Sequence, residues 1–255
     1  MFVALLVFLY APILGLMAFS FNDSKRNIVW RGFTLDYYEK AMANSELMLA
    51  FGNSLTIALV STVISVTLGA SAAYLLWRFR FAGKTAYEGM LALPIVIPEI
   101  CMAVAMMIFL ARIGWPQGLP WPLNLGAIII AHTAFSFPFV ALVVRARLET
   151  FNRELAEAAR DLGAHEPQVF RDVIAPHMRP SLIAGGLLAF TLSLDDFIIT
   201  FFTSGPDTVT LPVKIYSMVR FSVTPEVNAA STLLILITVA LTATGMRLQN
   251  RNQIL

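Results

Sequence analysis

An all-helical membrane protein with six spans is the fold this sequence predicts, and three observations predict it. Of 255 residues, 58% are hydrophobic and 13% charged, with a mean hydropathy of +0.73; soluble proteins carry roughly 25% charged residues. The apolar residues gather into six stretches of about 20, the length that crosses a bilayer core. None of them shows the ten-residue alternating pattern of barrel strands. The same composition excludes an ordinary soluble enzyme, a disordered chain and a nucleic-acid binder, since 18 Lys and Arg against 16 Asp and Glu leave a net charge of only +2. A lone cysteine, Cys101, forms no internal disulfide and fits no metal cluster.

The first span is placed at 1–21, which carries no charged side chain. Met1 has no basic flank, so a cleavable signal peptide is not expected. The polar segment from Asn22 to Asn53, with Trp30, Tyr37 and Tyr38, is expected to form short helices at the external interface. The second span, 55–77, ends at Arg78-Phe79-Arg80. The third, 86–111, holds Glu99 and is kinked twice, at Pro94 and Pro98. An external loop from Gly114 to Asn124 follows, its Trp115 and Trp121 reading as interfacial anchors. The fourth span, 125–144, contains His132 and Pro138. The fifth, 182–202, carries Asp195 and Asp196, and the sixth is 227–246. The whole chain, 1–255, reads as one membrane domain without internal repeats.

Lys and Arg in the loops set the orientation. Segments after spans two, four and six hold eleven of them, including Arg78, Arg145, Arg160 and Arg247, against seven on the other side. The long loop 145–180 is therefore assigned to the cytoplasm, and both termini with it.

That loop carries the most specific pattern. Leu155, Ala158, Ala159 and Leu162 recur at helical spacing among Glu154, Glu157, Arg160 and Asp161, an amphipathic helix. Gly163 suits a helix stop that needs positive φ. Pro167 suits the first turn of a second helix, which offers Val169, Phe170, Val173 and Ile174 and is expected to end at Pro176. From pattern alone, the two helices form either a hairpin lying on the membrane or a docking element for a soluble partner.

Glu157-Ala158-Ala159, Gly163, Ile174 and Pro176 resemble the EAA loop of binding-protein-dependent ABC-transporter permeases of MetI-like fold, in residue type, spacing and position before the penultimate span. The resemblance extends over essentially the whole chain. Thr191-Leu-Ser-Leu-Asp-Asp-Phe, Ser204-Gly-Pro, Leu211-Pro-Val-Lys-Ile-Tyr-Ser and Thr224-Pro-Glu-Val-Asn-Ala are similar to the polyamine branch, as is Trp30-Arg-Gly-Phe-Thr with its paired tyrosines. The nearest type is the second permease subunit of spermidine/putrescine importers; the chief departure is the missing basic N-terminal tail. The resemblance implies an inner-membrane permease that pairs with a homologous permease, two ATPase subunits and an external binding protein. It implies that Glu157, Ala158, Ala159, Gly163 and Pro176 belong to a coupling element seated on the ATPase. A short rigid helix there transmits ATPase closure to the spans as rigid-body motion.

Carboxylates at membrane depth are the second signal. A charge at mid-bilayer costs roughly 2.5–3.5 kcal/mol on insertion scales and so faces the protein interior. Glu99, Asp195 and Asp196 have no Lys or Arg in the spans to pair with, and a diamine or triamine is a cation of matching kind. On a continuous helix the two aspartates would point about 100° apart. Asp196 would share a face with Ser193, and Asp195 with Thr191, so at most one aspartate faces the pore squarely. Polar bonding between helices is the alternative use of these groups. The family resemblance implies roles in substrate passage for Glu99, Ser193, Asp195 and Asp196, and for Tyr37 through cation–π contact. Tyr37 also reads as an interfacial anchor, and His132 as either a hydrogen-bonded bundle histidine or a proton relay.

Other classes fit less well. No HExxH occurs, and His165 and His177 lie in the loop, so an intramembrane protease has no base or zinc pair. No phosphate-binding glycine loop occurs, so ATP and magnesium are expected on a partner ATPase and no cofactor on this chain. A secondary carrier should show two related halves, and the asymmetric hydrophilic loop argues against them. Within ABC importers, ferric iron, an opine or an amine-like amino acid is the alternative solute.

Overall fold

Small residues at helical spacing decide where the spans meet. The computed structural model describes residues 1–24, 29–113, 124–205, 207–221 and 224–251. Helix α1 runs Phe2–Phe19, α2 Asp36–Ala43 and α3 Ser45–Arg78. Helix α4, Lys84–Val96, is followed after a 109° bend by α5, Glu99–Ile113. Helix α6 is Leu125–Glu149 and α7 Arg153–Asp161. Helix α8, Glu166–Val169, continues through a π-helical turn, Phe170–Ile174, into α9, Ala175–Leu194. The chain ends with α10, Ile198–Thr203, α11, Leu211–Phe221, and α12, Pro225–Arg251.

Helices α3 and α6, the continuous run Glu166–Leu194, and α12 are each long and apolar enough to span alone. The bent pair α4 and α5 makes a fifth, broken span, and α1, at the first predicted span, is a shorter apolar helix. Each of the six predicted spans therefore falls on an apolar helix or bent helix pair, five of them long enough to cross, with several ends moved. The second span begins at Ser45 rather than 55, because Asn44 accepts hydrogen bonds from the backbone N–H of Glu46 and Leu47 and caps the helix there. Its polar turn is used: Asn53 Nδ2 donates to the carbonyls of Asp207 and Val209 at 3.3 and 3.1 Å, and Ser54 Oγ accepts from Leu211 N at 2.8 Å. The third span breaks once, at Pro98; Pro94 lies inside α4, while Ile97 is extended at ψ 133°, as a residue before proline prefers.

Two further expectations are corrected. Pro176 does not end its helix, since the π turn just before it shifts the hydrogen-bond register and accommodates the ring. The fifth span is not one helix to 202, because it stops at Leu194 and restarts at Ile198. The loop holding Trp115 and Trp121 lies outside the described residues, as do Lys25, Arg26 and Pro206.

Helices α3, α6 and α9 form the central three-helix unit. Their contact faces are small: Ser54, Ala58, Ser61, Ser65, Gly69 and Ala72 on α3 are all buried. A Cβ at Gly69 would lie 2.8 Å from both the Phe137 carbonyl oxygen and Val140 Cβ, and one at Gly185 would lie 3.0 Å from Val140 Cγ1. Val140 is thus seated between two glycines on different helices, the close approach that small residues permit in lipid. Gly69→Ala is expected to lower the detergent melting temperature, costing about 1–3 kcal/mol because backbone rather than a flexible side chain blocks the methyl. Gly52→Ala, with nothing within 4 Å, is the matched control and should melt like the parent.

At one end of the unit the loop 150–174 folds back onto the spans. Phe151, Ala156, Val169 and Ile174 are buried in the same apolar cluster as Val144, Leu148 and Met178. At the other end Ser20 Oγ and Tyr38 Oη lie 2.6 Å apart, Asn44 Nδ2 donates to Glu226 at 3.1 Å, and Lys214 pairs with Glu46.

Candidate functional site

Two helix breaks lie side by side, and the three carboxylates stand at them. Nothing in Leu194-Asp-Asp-Phe is a glycine or proline, so the gap between α9 and α10 is made by side-chain bonding. Asp196 turns back to cap α10, accepting from Thr200 N at 2.8 Å, Ile199 N at 3.3 Å and Thr200 Oγ1 at 2.8 Å. These are donors a helix N-terminus leaves without partners, and its positive end suits an anion. His132 of α6 closes the arrangement with Nε2 3.1 Å from Asp196 Oδ2 and 2.9 Å from Thr200 Oγ1. Its Nδ1 lies 2.7 Å from Ser193 Oγ, which in turn accepts from Ser61 Oγ at 3.1 Å.

Asp196 is therefore not the unpaired carboxylate expected from the absence of Lys and Arg. It is 6% exposed and His132 2%, each with its polar atoms engaged. Because the helix has ended, the face-sharing read for Ser193 with Asp196, and for Thr191 with Asp195, does not describe the structure. The two aspartates still part ways: Asp196 points inward to α6, while Asp195, at the end of α9, is exposed. Glu99 opens α5 directly after Pro98, half-buried, with its carboxyl within hydrogen-bonding reach of Asp196 and near Asp195. Carboxylates this close repel unless a proton or a cation lies between them. Irregular backbone at membrane depth is tolerated where it is buried or lines a cavity, and two such breaks with Glu99 and Asp195 beside them make a polar spot of that kind.

Of the other expected site residues, Ser193 is 5% exposed and belongs to the histidine network. Tyr37 is elsewhere, on α2, its ring under Lys40 Nζ at 4.9 Å from the centroid. Ser61 and Thr200 escaped the sequence reading. Thr200 lies four residues after Asp196, an Asp cap with a hydroxyl in the next turn, and that spacing was the available signal.

The loop helix forms as expected. Asn152 caps α7 through Glu154 N at 3.0 Å, and Gly163 takes φ +86°, with Ala164 N donating to the Ala159 carbonyl at 3.0 Å. The buried side of α7 is Ala156, with Ala159 half-buried. Leu155 and Leu162 of the amphipathic stripe are 56% and 90% exposed. Ala158 and Glu157 are exposed with them. The hairpin therefore presents an apolar outer face while its inner face is fixed to the spans.

That fixation is extensive. Trp77 meets Phe151 edge-on with centroids 5.6 Å apart, Phe151 meets His177 at 5.2 Å, and Tyr74 meets Phe170 at 5.1 Å. Arg153 lies over Trp77 at 5.3 Å. Arg160 bonds Glu166 across the Gly163 turn at 2.6 Å, and Arg78 of α3 reaches the same carboxylate at 3.5 Å. The Glu166 carboxylate raises the proton affinity of the Arg160 guanidinium above its ordinary level. Arg147 Nε donates to the His177 carbonyl at 3.2 Å, tying α6 to α9. These contacts join the hairpin to α3 and α9, and α6 to α9. Pro176 stands at the start of α9, behind the hairpin rather than in it.

Residues 65–253 match the family described as "Binding-protein-dependent transport system inner membrane component". The chain is 39% identical to the spermidine/putrescine transport system permease protein PotC of Escherichia coli (strain K12) over 238 residues, 93% of this chain and 88% of that one. It is 40% identical to the putrescine transport system permease protein PotI of the same organism over 231 residues, 89% and 82% of the two chains. Among solved structures, a chain of a bacterial ABC transporter involved in import of the acidic polysaccharide alginate matches with a TM-score of 0.78 at 17% identity, covering 98% of this chain and 92% of that one. A chain of the MetNI methionine ABC transporter in an inward-facing conformation matches with a TM-score of 0.66 at 20% identity, over 82% and 99%. At these identities the structural likeness speaks for the fold. With the family matched over most of its length and both helix breaks and the hairpin in place, this chain belongs to the binding-protein-dependent transport system inner membrane components, multi-pass permease subunits of ABC importers.

Proposed function

We propose that this chain is a permease subunit of an ATP-driven importer of polyamines. The observation that carries the cationic substrate is the gathering of three carboxylates, half-buried Glu99 against Asp196 with exposed Asp195 nearby, where two helix breaks adjoin. Relatives named for spermidine and putrescine, similar over most of the chain, support the same reading. Asp195 and Glu99 line the path and exchange contacts with successive ammonium groups. Asp196 and Ser193 hold the break from behind. Tyr37, half-buried on α2 with a cation already over its ring, belongs to the external mouth.

The path is completed by a homologous permease, and two ATPase subunits dock on the hairpins of the pair. An external binding protein delivers the solute. ATP and magnesium reside on the ATPase subunits, and no cofactor is held by this chain. Glu157, Ala158, Leu162 and Gly163 form the docking surface, and both chain termini lie on its cytoplasmic side. In proteoliposomes containing the full complex and its binding protein, ATP is expected to drive uptake of labelled putrescine or spermidine. Equal uptake of an uncharged diol of the same length would contradict the cation path.

A further inference from the structure

His132 is a buried titratable group to which neither the docking surface nor the substrate contacts give a task. Its position is specific. The ring sits on α6, and its two nitrogens reach opposite sides of the α9–α10 gap, Ser193 in the last turn of α9 and Asp196 with Thr200 in the first turn of α10. With the proton placed on Nε2, the hydrogen-bond donors run in one direction. Ser61 donates to Ser193, Ser193 to Nδ1, and Nε2–H to the Asp196 carboxylate and the Thr200 hydroxyl, whose own proton goes to Asp196. Every step is thereby satisfied with a proton on Nε2. Three helices and the restart of a fourth are joined through one imidazole.

We propose that His132 is the positioning residue of the substrate path: by bonding both rims of the break from a third helix, it fixes the gap at which Asp195 stands exposed. The sequence supplies the counterpart of this claim. Leu194-Asp-Asp-Phe contains no helix breaker, so without the clamp α9 can run on into α10. Asp195 already has helical backbone and bonds the Thr191 carbonyl, so a continued helix would leave it in place. It would turn Asp196 and α10 by about 100° per residue, shifting α5 with Glu99, which packs on α10, and closing the gap beside Asp195. His132 touches no substrate; it acts through Asp196 and Ser193. The inference takes from the proposed function only that Asp195 lies on the path.

The experiment reads Asp195 directly and needs no knowledge of the solute. Cys101 is the sole cysteine, so Cys101→Ser gives a thiol-free parent into which Asp195→Cys is placed. The assembled complex is then treated with a cationic methanethiosulfonate, and the rate of modification at position 195 is measured. His132→Ala is expected to slow it about tenfold, the scale of two lost buried hydrogen bonds. His132→Gln, whose amide both donates and accepts, is expected to keep it within about threefold of the parent. A cysteine in place of Glu39, exposed on α2 away from the hairpin and the break, should react at one rate in every background. Ser193→Ala, which cuts only the α9 side of the clamp, serves as the milder variant if His132→Ala does not assemble, and should slow the reaction about threefold. Parent-like reactivity at 195 in the assembled His132→Ala complex, or in Ser193→Ala where that complex fails, overturns the proposal. Failure of the polyamine reading would appear instead as absent uptake by the parent complex, with these rates unaffected.

Discussion

Replacing Leu162 by aspartate is expected to abolish ATP-driven uptake while leaving the permease folded. Leu162 is 90% exposed and follows α7 directly, so its substitution costs the isolated chain no more than about 0.5 kcal/mol. In the docked state a leucine side chain contributes about 1.5–3 kcal/mol by burial, and a carboxylate there must also shed its water. The combined loss amounts to at least about a hundredfold in ATPase association. Substrate-stimulated ATP hydrolysis in proteoliposomes should fall accordingly, with an unchanged melting temperature for the permease. Gly163→Val should act on the same readout by another route. At φ +86° a β-branched residue is strained by about 1–2 kcal/mol, so the turn that aims the hairpin shifts.

The two neighbouring aspartates should fail in different ways. Asp195→Asn removes an exposed charge from the path, and a charge-assisted hydrogen bond is worth about 1.5–3 kcal/mol. The KM for polyamine uptake should rise about 10- to 100-fold, with parent-like melting and basal ATP hydrolysis. Asp196→Asn places an amide where Thr200 N, Thr200 Oγ1, Ile199 N and His132 all aim donors. An amide offers one oxygen to a site built for two, and the unpaired donors cost about 3 kcal/mol or more. Its melting temperature should drop, and uptake should fall through loss of folded complex. Identical behaviour of the two variants would mean that the aspartates share one role.

The spans were legible because lipid demands about 20 apolar residues and little else. What escaped were features set by side-chain bonding rather than by composition. The start of α3 at Ser45 depends on Asn44 as a cap and on Asn53 and Ser54 holding the 207–211 strip, and a polar tally places those residues outside the span. Pro176 looked like a stop because the π turn that absorbs it has no sequence mark. The break at Asp195 lacks glycine and proline altogether; it is marked by the Asp196 cap of α10 and by bonds to His132 on another helix, which no local pattern reveals. On α7 the helical period was correct, but Ala156 is the side chain that goes inward. A short helix with apolar residues on two faces does not reveal which face its own protein will cover. Gly163, by contrast, was readable, since a positive φ between two helices is a demand on the residue itself.

The central claim is that the α7 hairpin is a lever moved by a separate ATPase, and a crosslink tests it most directly. With Cys101→Ser as background and Leu162→Cys as the probe, a short thiol–amine crosslinker is applied to the complex in inside-out vesicles. A permease–ATPase adduct whose yield changes between the nucleotide-free and ATP-bound states is the predicted result. Modification of the same cysteine only by an impermeant reagent added from the external side, with no adduct in either state, would contradict it.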